Sequence, residues 1–358
     1  MPDVNSVIKT NRKKKKKKQN IFAAIFQGLI PWKGDTAGEI IRKIVFLASL
    51  VLLTVTGYII LDTYVFAPAR ESAKYREEIL TLYNQEPTAA ELEQLPEKTI
   101  NTEYAPLYAA NNDFVGYLNI LNTSVNYPVV QGVDNDEYLH RDFYYDYSDS
   151  GTVFADYENV FSPTEPMSAN TIIYGHNMRI DSFFTEVARY YSYRYDLDYF
   201  KDRAVIEFNT LYDNAKYKIF SVMLVNTTDD YGEVFPYQTK INFRSRDEFN
   251  SFVAECFDRS KYYTGVDVKY GDELLTLSTC EFESGLSDMR VVVVARKVRD
   301  GESADFTEEE KEAFYENPVP KLNELMQDWY GEFEYRYWDP AWLEGYVPDD
   351  SFVDINEE

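Results

Sequence analysis

Cys280 closes the apolar run LLTLSTC, and Arg290 follows ten residues later near the head of a second apolar run, MRVVVVARKV. The thiolate is the reactive form of cysteine. A free thiol titrates near about 8.5, so a nucleophilic cysteine needs help. His176 is a candidate helper: it ends the apolar run NTIIYGH after a glycine, where a side chain can leave a sheet edge. A histidine takes the thiol proton or pairs with the thiolate as an ion. A cationic Arg290 over the same site would stabilise an oxyanion. Singly, each residue has a plainer reading, since a lone cysteine is usually a small buried hydrophobe.

The chain has two cysteines and two histidines. Two cysteines build no disulfide scaffold and give no CxxC metal spacing. Cys256 falls on the apolar face of a helical pattern and reads as a packed thiol. His140, in YLHRDF, reads as structural or surface. No stretch completes an EF-hand loop. Neither a metal nor a cofactor is expected.

Positioning such a trio requires strands. FVGYLNIL (114–121), VNYPVV (125–130), GTVFADY (151–157) and NTIIYGH (170–176) read as short strands separated by Asn, Gly or Asp turns. AVIEFNTL, AKYKIFSVMLVNT, ELLTLST and MRVVVVARKV continue the series. Helices are expected at DSFFTEVARYY (181–191) and at SRDEFNSFVAECFDRS (245–260). In the second, Ser245 is the N-cap and positions 249, 252, 253 and 256 are apolar. Eight short strands with few helices predict a mainly β fold, a closed or nearly closed barrel.

The net charge of −25 is unevenly spread. Residues 1–43 hold 11 Lys/Arg, six of them in Lys13–Lys18, and three acids. Next comes IVFLASLVLLTVTGYIIL (44–61), 18 residues without a charge. A transmembrane helix needs about 20 mostly apolar residues. The basic flank argues for a membrane anchor over a buried core helix. By the positive-inside rule, residues 1–43 are cytoplasmic and the chain beyond 62 faces outside. A cleaved signal peptide is the rival, but the apolar stretch starts late and lacks a clear cleavage site; FAPA (66–69) is a weak one. The lysine run would then meet anionic lipid rather than nucleic acid. The segment 21–32 is too short to span and fits the interface.

Residues 62–100 read as a stalk or as an N-terminal helix packed on the main domain, with Pro87 and Pro96 as breaks. Residues 101–299 carry the strands. Residues 300–358 form an acidic C-terminal extension with 19 acids and three bases. Acid alone would suggest disorder. Three of the four tryptophans lie there, however, which favours docking of part of it. The plainest expectation is an acidic tail with one amphipathic helix near 319–330; the sharper one is that 319–346 folds over the groove as a lid or docks on a pilin or secretion partner.

In order, TLSTC, the arginine ten residues on, and the upstream IIYGHN resemble the sortase family of Gram-positive bacteria. More narrowly, VGYLNILNTSVNYPVVQGVDNDEYLHRDFY, GTVFADYEN and FNSFVAECFDRSKYYTGVDV are similar to class B sortases. The matching stretches run through about residues 101–299. The resemblance implies an eight-stranded sortase barrel and an anchored, extracellular cysteine transpeptidase. It implies Cys280 as nucleophile, His176 as general acid/base and Arg290 as the residue steadying oxyanion and peptide. It further implies that Asn135 and Leu139, in DNDEYL, line the sorting-signal groove with Ser278. Glu281 follows the nucleophile, where class B members also tend to have Glu, and is expected with those three among the substrate-binding residues. The extension after 300 has no counterpart in that pattern.

The expected reaction cleaves a C-terminal sorting signal through a thioacyl enzyme and joins the product to an amine. Partners would be surface proteins bearing the signal, and a peptidoglycan precursor or pilin lysine as acceptor. The alternatives are a membrane-tethered binding protein with a catalytically silent barrel, and a cysteine endopeptidase.

Overall fold

The computed structural model describes residues 27–178 and 182–353, the side chains at 329 and 330 excepted. Lys13–Lys18, part of the segment 21–32 and the start of the 181–191 helix therefore lie outside the described residues. Two units separate at Arg70.

In the first unit, helix α1 (Ala37–Leu61) spans 25 residues. It starts at Thr36, whose hydroxyl accepts from the Glu39 N–H while the Glu39 carboxylate accepts from the Thr36 N–H at 2.8 Å. This reciprocal cap satisfies two orphan donors at the helix start. Lys43 is buried in an ion pair with Asp35 at 2.7 Å. Beyond it the helix is apolar on every side, and Leu52 and Leu53 are about two-thirds exposed. At about 1.5 Å per residue the helix exceeds the roughly 30 Å of a hydrocarbon core. Its apolar window is long enough, by length and composition, to cross a membrane.

In the second unit, residues 71–83 belong to helix α2 (Ala67–Tyr83). From Glu71 onward this helix packs on the barrel unit. Ile79 is fully buried, the Tyr75 hydroxyl lies 2.9 Å from that of Thr152, and Arg76 donates to the Tyr127 hydroxyl.

Eight strands close the barrel: β1 (Phe114–Ile120), β2 (Asn126–Val130), β3 (Phe154–Ala155), β4 (Asn170–Tyr174), β5 (Val205–Thr210), β6 (Asn214–Asn226), β8 (Leu274–Cys280) and β9 (Met289–Lys297). Their order around it is β1-β2-β3-β4-β8-β9-β6-β5, returning to β1. All eight sequence stretches became strands. The third shrank most, from seven expected residues to two, because Asp156 and Asn159 turn back to bond the β4 backbone. The centre of β9, VVVVA, is continuously apolar rather than alternating, because both of its faces are covered; β8 is equally buried but carries Thr276, Ser278 and Thr279, each of them hydrogen-bonded.

Helix α3 (Arg246–Arg259) starts at Ser245, which accepts from the Glu248 N–H at 3.2 Å. Phe249, Phe252, Val253, Cys256 and Phe257 recur at helical spacing and bury one face in the core. Its C-terminal end carries a buried acid, Asp258. The C-terminal extension is built around that acid. Trp338 is fully buried, stacks on Phe257 at 4.9 Å, and donates its indole N–H to Asp258 at 2.8 Å. Arg336 pairs with the same carboxylate at 3.1 Å, and Lys321 pairs with Glu255 at 2.6 Å. A short strand β10 (Tyr315–Glu316) pairs with β7 (Tyr262–Tyr263).

Of the helices described in the tail, α4 (Glu324–Tyr330) lies within the expected range, and a short one at Glu308–Glu312 was not expected. A tail with that one helix is nevertheless too plain, because its aromatic residues are core. Aromatic burial and charge pairing with α3 outweigh the acidic composition. The lid expectation also needs correction. The described extension covers α3 and the outer face of β9, and it contributes no residue to the cleft described below.

Trp338→Ala should cost about 3–5 kcal/mol, the usual range for emptying a buried aromatic site. Urea unfolding followed by far-UV circular dichroism should show the lower midpoint. Val347→Ala, at a position 84% exposed, should leave the midpoint unchanged.

Candidate active site

Three strand ends meet at one rim of the barrel. β4 and β8 run parallel, with Tyr174 opposite Ser278. Two residues further along each chain are His176 and Cys280, so the register brings both to the same level. The ladder continues past β4: Gly175 donates its N–H to the Ser278 carbonyl at 3.2 Å, and Thr279 donates its hydroxyl to the Gly175 carbonyl at 2.7 Å. The Asn177 amide then donates to the Cys280 carbonyl at 2.9 Å. β9 runs antiparallel to β8 and sets Arg290 directly opposite Cys280. The ten-residue spacing in the sequence is thus a strand end, a loop and a cross-strand pair.

Gly175 has a packing role here. A Cβ at this position would come within 2.7 Å of the Phe184 ring. Only glycine lets the chain pass that ring and deliver His176 to the rim.

Cys280, His176 and Arg290 are all half-buried and line one cleft of about 430 Å³. His176 Nε2 lies 2.9 Å from the Leu139 carbonyl oxygen. A carbonyl can only accept, so Nε2 carries the proton and the lone pair of the neutral ring is on Nδ1. Arg290 donates to the carbonyl of its neighbour Met289 at 3.0 Å. His140 sits beside the site, its ring 6.4 Å from that of His176 and stacked on Tyr147, but it does not line the cleft.

Asn135, Leu139 and Ser278 line the same cleft. Asn135 is held in place: its amide donates to Asp156 at 2.8 Å, and its oxygen accepts from the Tyr157 N–H. Tyr174 donates to the same Asp156 carboxylate at 2.9 Å. Burial, reinforced by that carboxylate, pushes the Tyr174 hydroxyl far above its ordinary range, so it remains a donor. Ser278 shares a 2.7 Å hydrogen bond with Tyr237 on the buried cleft floor. Burial pushes Tyr237 up to about 12, with the Ser278 bond and the nearby Arg290 charge pulling the other way.

Glu281 is placed differently from the other expected groove residues. Its carboxylate turns into the β8–β9 loop, where it accepts from the N–H groups of Glu283 and Ser284 and from the Ser284 hydroxyl. It braces that loop and does not line the cleft.

Sequence reasoning missed Tyr237, Gln238, Phe154, Tyr174 and Asp156. Tyr174 sits two residues before His176, so strand alternation would have flagged it. Tyr237 and Gln238 lie in an irregular segment, VFPYQTK, with no periodicity to follow.

Cys256 is fully buried, and burial pushes its thiol well above the ordinary range. It packs in the core of the barrel unit, as its place on the apolar helix face predicted.

A closed eight-stranded barrel with a cysteine, a histidine and an arginine at one rim describes a class of cysteine enzymes. The family model for the sortase domain matches residues 118–298. The chain is 31% identical over 199 residues to sortase B of Listeria monocytogenes, covering 56% of this chain and 75% of that protein. It is 28% identical over 256 residues to sortase B of Staphylococcus aureus, covering 72% and 96%. The solved Staphylococcus aureus sortase B–substrate complex superposes with a TM-score of 0.52 at 26% identity, over 65% of this chain and all of that one. The chain belongs to the sortase family, class B, and is a cysteine transpeptidase.

A soluble thiol-alkylating probe at neutral pH should label the native protein at Cys280 alone. Cys256 should react only after denaturation. Peptide mass mapping of the labelled chain distinguishes the two sites.

Proposed function

We propose that this transpeptidase is anchored by α1 with its barrel outside the cell, and that Cys280, His176 and Arg290 carry the reaction. The observation that carries this reading is the register. The β4–β8 and β8–β9 pairings support a shared site for Cys280, Arg290 and a histidine more than a hundred positions earlier in the chain.

His176 takes the Cys280 thiol proton on Nδ1, and the thiolate so formed attacks the carbonyl carbon of the scissile peptide bond in a sorting signal. Arg290 faces the oxyanion that forms, and a cation there is worth most in a cleft that excludes water. The tetrahedral intermediate collapses, the C–N bond breaks, and His176 gives its proton to the leaving amine. With Nε2 committed to Leu139, Nδ1 is the nitrogen free to move that proton. A thioester between Cys280 and the substrate remains. An acceptor amine then attacks the thioester, His176 takes its proton, and the thiolate leaves.

Asn135, Leu139 and Ser278 would contact the bound signal. Asn135, fixed by Asp156, offers a preorganised polar contact, and Leu139 offers an apolar one. The resemblance to class B suggests an NP-x-T-type signal. A peptidoglycan precursor or a pilin lysine would supply the amine. The basic N-terminus would lie on anionic lipid at the cytoplasmic face.

The test incubates the full chain in detergent with a panel of signal peptides, with and without added amines, and reads products by mass. Wild type should cleave at least one peptide, and added amine should convert the acid product to an amide. Cys280→Ala should abolish both products and the thioacyl adduct. A product unchanged by amine would point to an endopeptidase instead. Arg290→Ala should lower kcat by about 10²–10³-fold, the usual loss on removing one oxyanion-stabilising group. An unchanged kcat would remove Arg290 from the mechanism.

A further inference from the structure

The outer face of β9 is covered by the extension at one particular place. Met289 and Val291 point away from the cleft, while Arg290 between them lines it. Leu322 and Met326 of the extension close over Met289, Val291 and Leu224 as a small separate core. Asn323, itself 3% exposed, caps α4 by accepting from the Met326 N–H at 2.8 Å. Its amide nitrogen donates to the Met289 sulfur at 3.4 Å.

Met289 is also the residue that holds Arg290. Its carbonyl accepts from the Arg290 guanidinium at 3.0 Å and from the Glu281 N–H at 3.0 Å. The side chain of Met289 is therefore gripped by the extension, and its carbonyl grips both the arginine and the residue after the cysteine. Methionine has three rotatable side-chain bonds and takes its shape from its neighbours. A strand end beside a loop is where such a backbone unit would otherwise rotate.

We propose that the C-terminal extension is a positioning element for Arg290, acting through Met289, and that Asn323 and Met326 carry the effect. The proposal rests on the reading of Arg290 as an oxyanion-stabilising residue. Neither Asn323 nor Met326 touches the cleft, so both act on catalysis only through the placement of the guanidinium. Releasing Met289 lets its carbonyl turn, and Arg290 then samples positions away from the developing charge. A displacement of about 1 Å at a catalytic group can cost as much as roughly 10²-fold in rate.

The test is a double-mutant cycle on the full chain in detergent, using the peptide of the panel that is cleaved fastest. Asn323→Ala and Met326→Ala should each lower the single-turnover rate of thioacyl formation by about ten-fold, with KM for the peptide changed little. Met326→Leu, which keeps the apolar cover, should restore the rate. Val347→Ala, on an exposed part of the extension, should match wild type. In an Arg290→Ala background the Asn323→Ala and Met326→Ala changes should have no further effect, because they act through the missing side chain.

Wild-type rates in both alanine variants would overturn the proposal. So would a ten-fold loss that persists undiminished in the Arg290→Ala background, since the extension would then act by a general effect on the fold. Arg290→Ala with an unaltered rate is a different result, and it would sink the reading of Arg290 itself. Thermal unfolding accompanies each variant. If Met326→Ala does not fold, Asn323→Ala decides the cycle alone.

Discussion

The parallel pairing of β4 with β8 is the constraint on which the site depends. Side chains alternate across a sheet, so a slip of one residue would move every side chain of a strand to the opposite face. With Tyr174 opposite Ser278, the next two residues bring His176 level with Cys280. A parallel pair has no tight turn to hold it, and the connection between these two strands is about a hundred residues long. The register is secured instead by the buried faces of both strands and by polar locks: Asn170 to Thr276, and Gly175 to Ser278 and Thr279. β9 then follows β8 by a short loop, and its register sets Arg290 against Cys280.

The long connection between β4 and β8 does more than return the chain. It contains β5, β6 and α3, and it places Tyr237 under Ser278 on the cleft floor. Barrel closure removes free strand edges, so the rim carries no unsatisfied ladder to be covered by other means. This leaves one end of β8 and β9 accessible to a peptide. The faces away from that rim are finished by short helices and by the C-terminal extension. Asp258 shows how closely the extension is integrated. It is an acid buried at the end of α3, and both of its charged or polar partners, Arg336 and Trp338, come from beyond residue 300. A carboxylate so deeply buried needs such partners, because stranding it unpaired would cost several kcal/mol.

Much of the site was legible because cysteine and histidine are scarce in this chain. With Cys256 assigned to an apolar helix face, Cys280 was the one candidate left, and the apolar runs ending at His176 and Cys280 identified strand ends. The groove residues were legible only through family resemblance, and that resemblance carried unequal weight. Asn135, Leu139 and Ser278 line the cleft, whereas Glu281 folds into its own loop to cap Ser284. A residue's neighbour in sequence need not share its face, and a carboxylate beside two free N–H groups is satisfied locally. Tyr237 was illegible because it sits in an irregular segment whose course is set by packing rather than by periodicity.

Local pattern by itself determined the eight barrel strands, the start of α3 at Ser245, the apolar helix α1 and the candidate trio. These follow from side-chain spacing and from capping chemistry, which act over a few residues. Tertiary structure decided which strands are neighbours, that β4 meets β8 in parallel, and that an acidic tail packs as core against α3 and Met289. Those outcomes depend on contacts between residues far apart in sequence. Hydrophobic burial rewards any compact arrangement of apolar faces, and only the whole set of interlocking faces selects one. For the extension, composition pointed towards solvent, but its Lys321 and Arg336 found Glu255 and Asp258 of α3, and its Trp338 found the same buried Asp258 carboxylate.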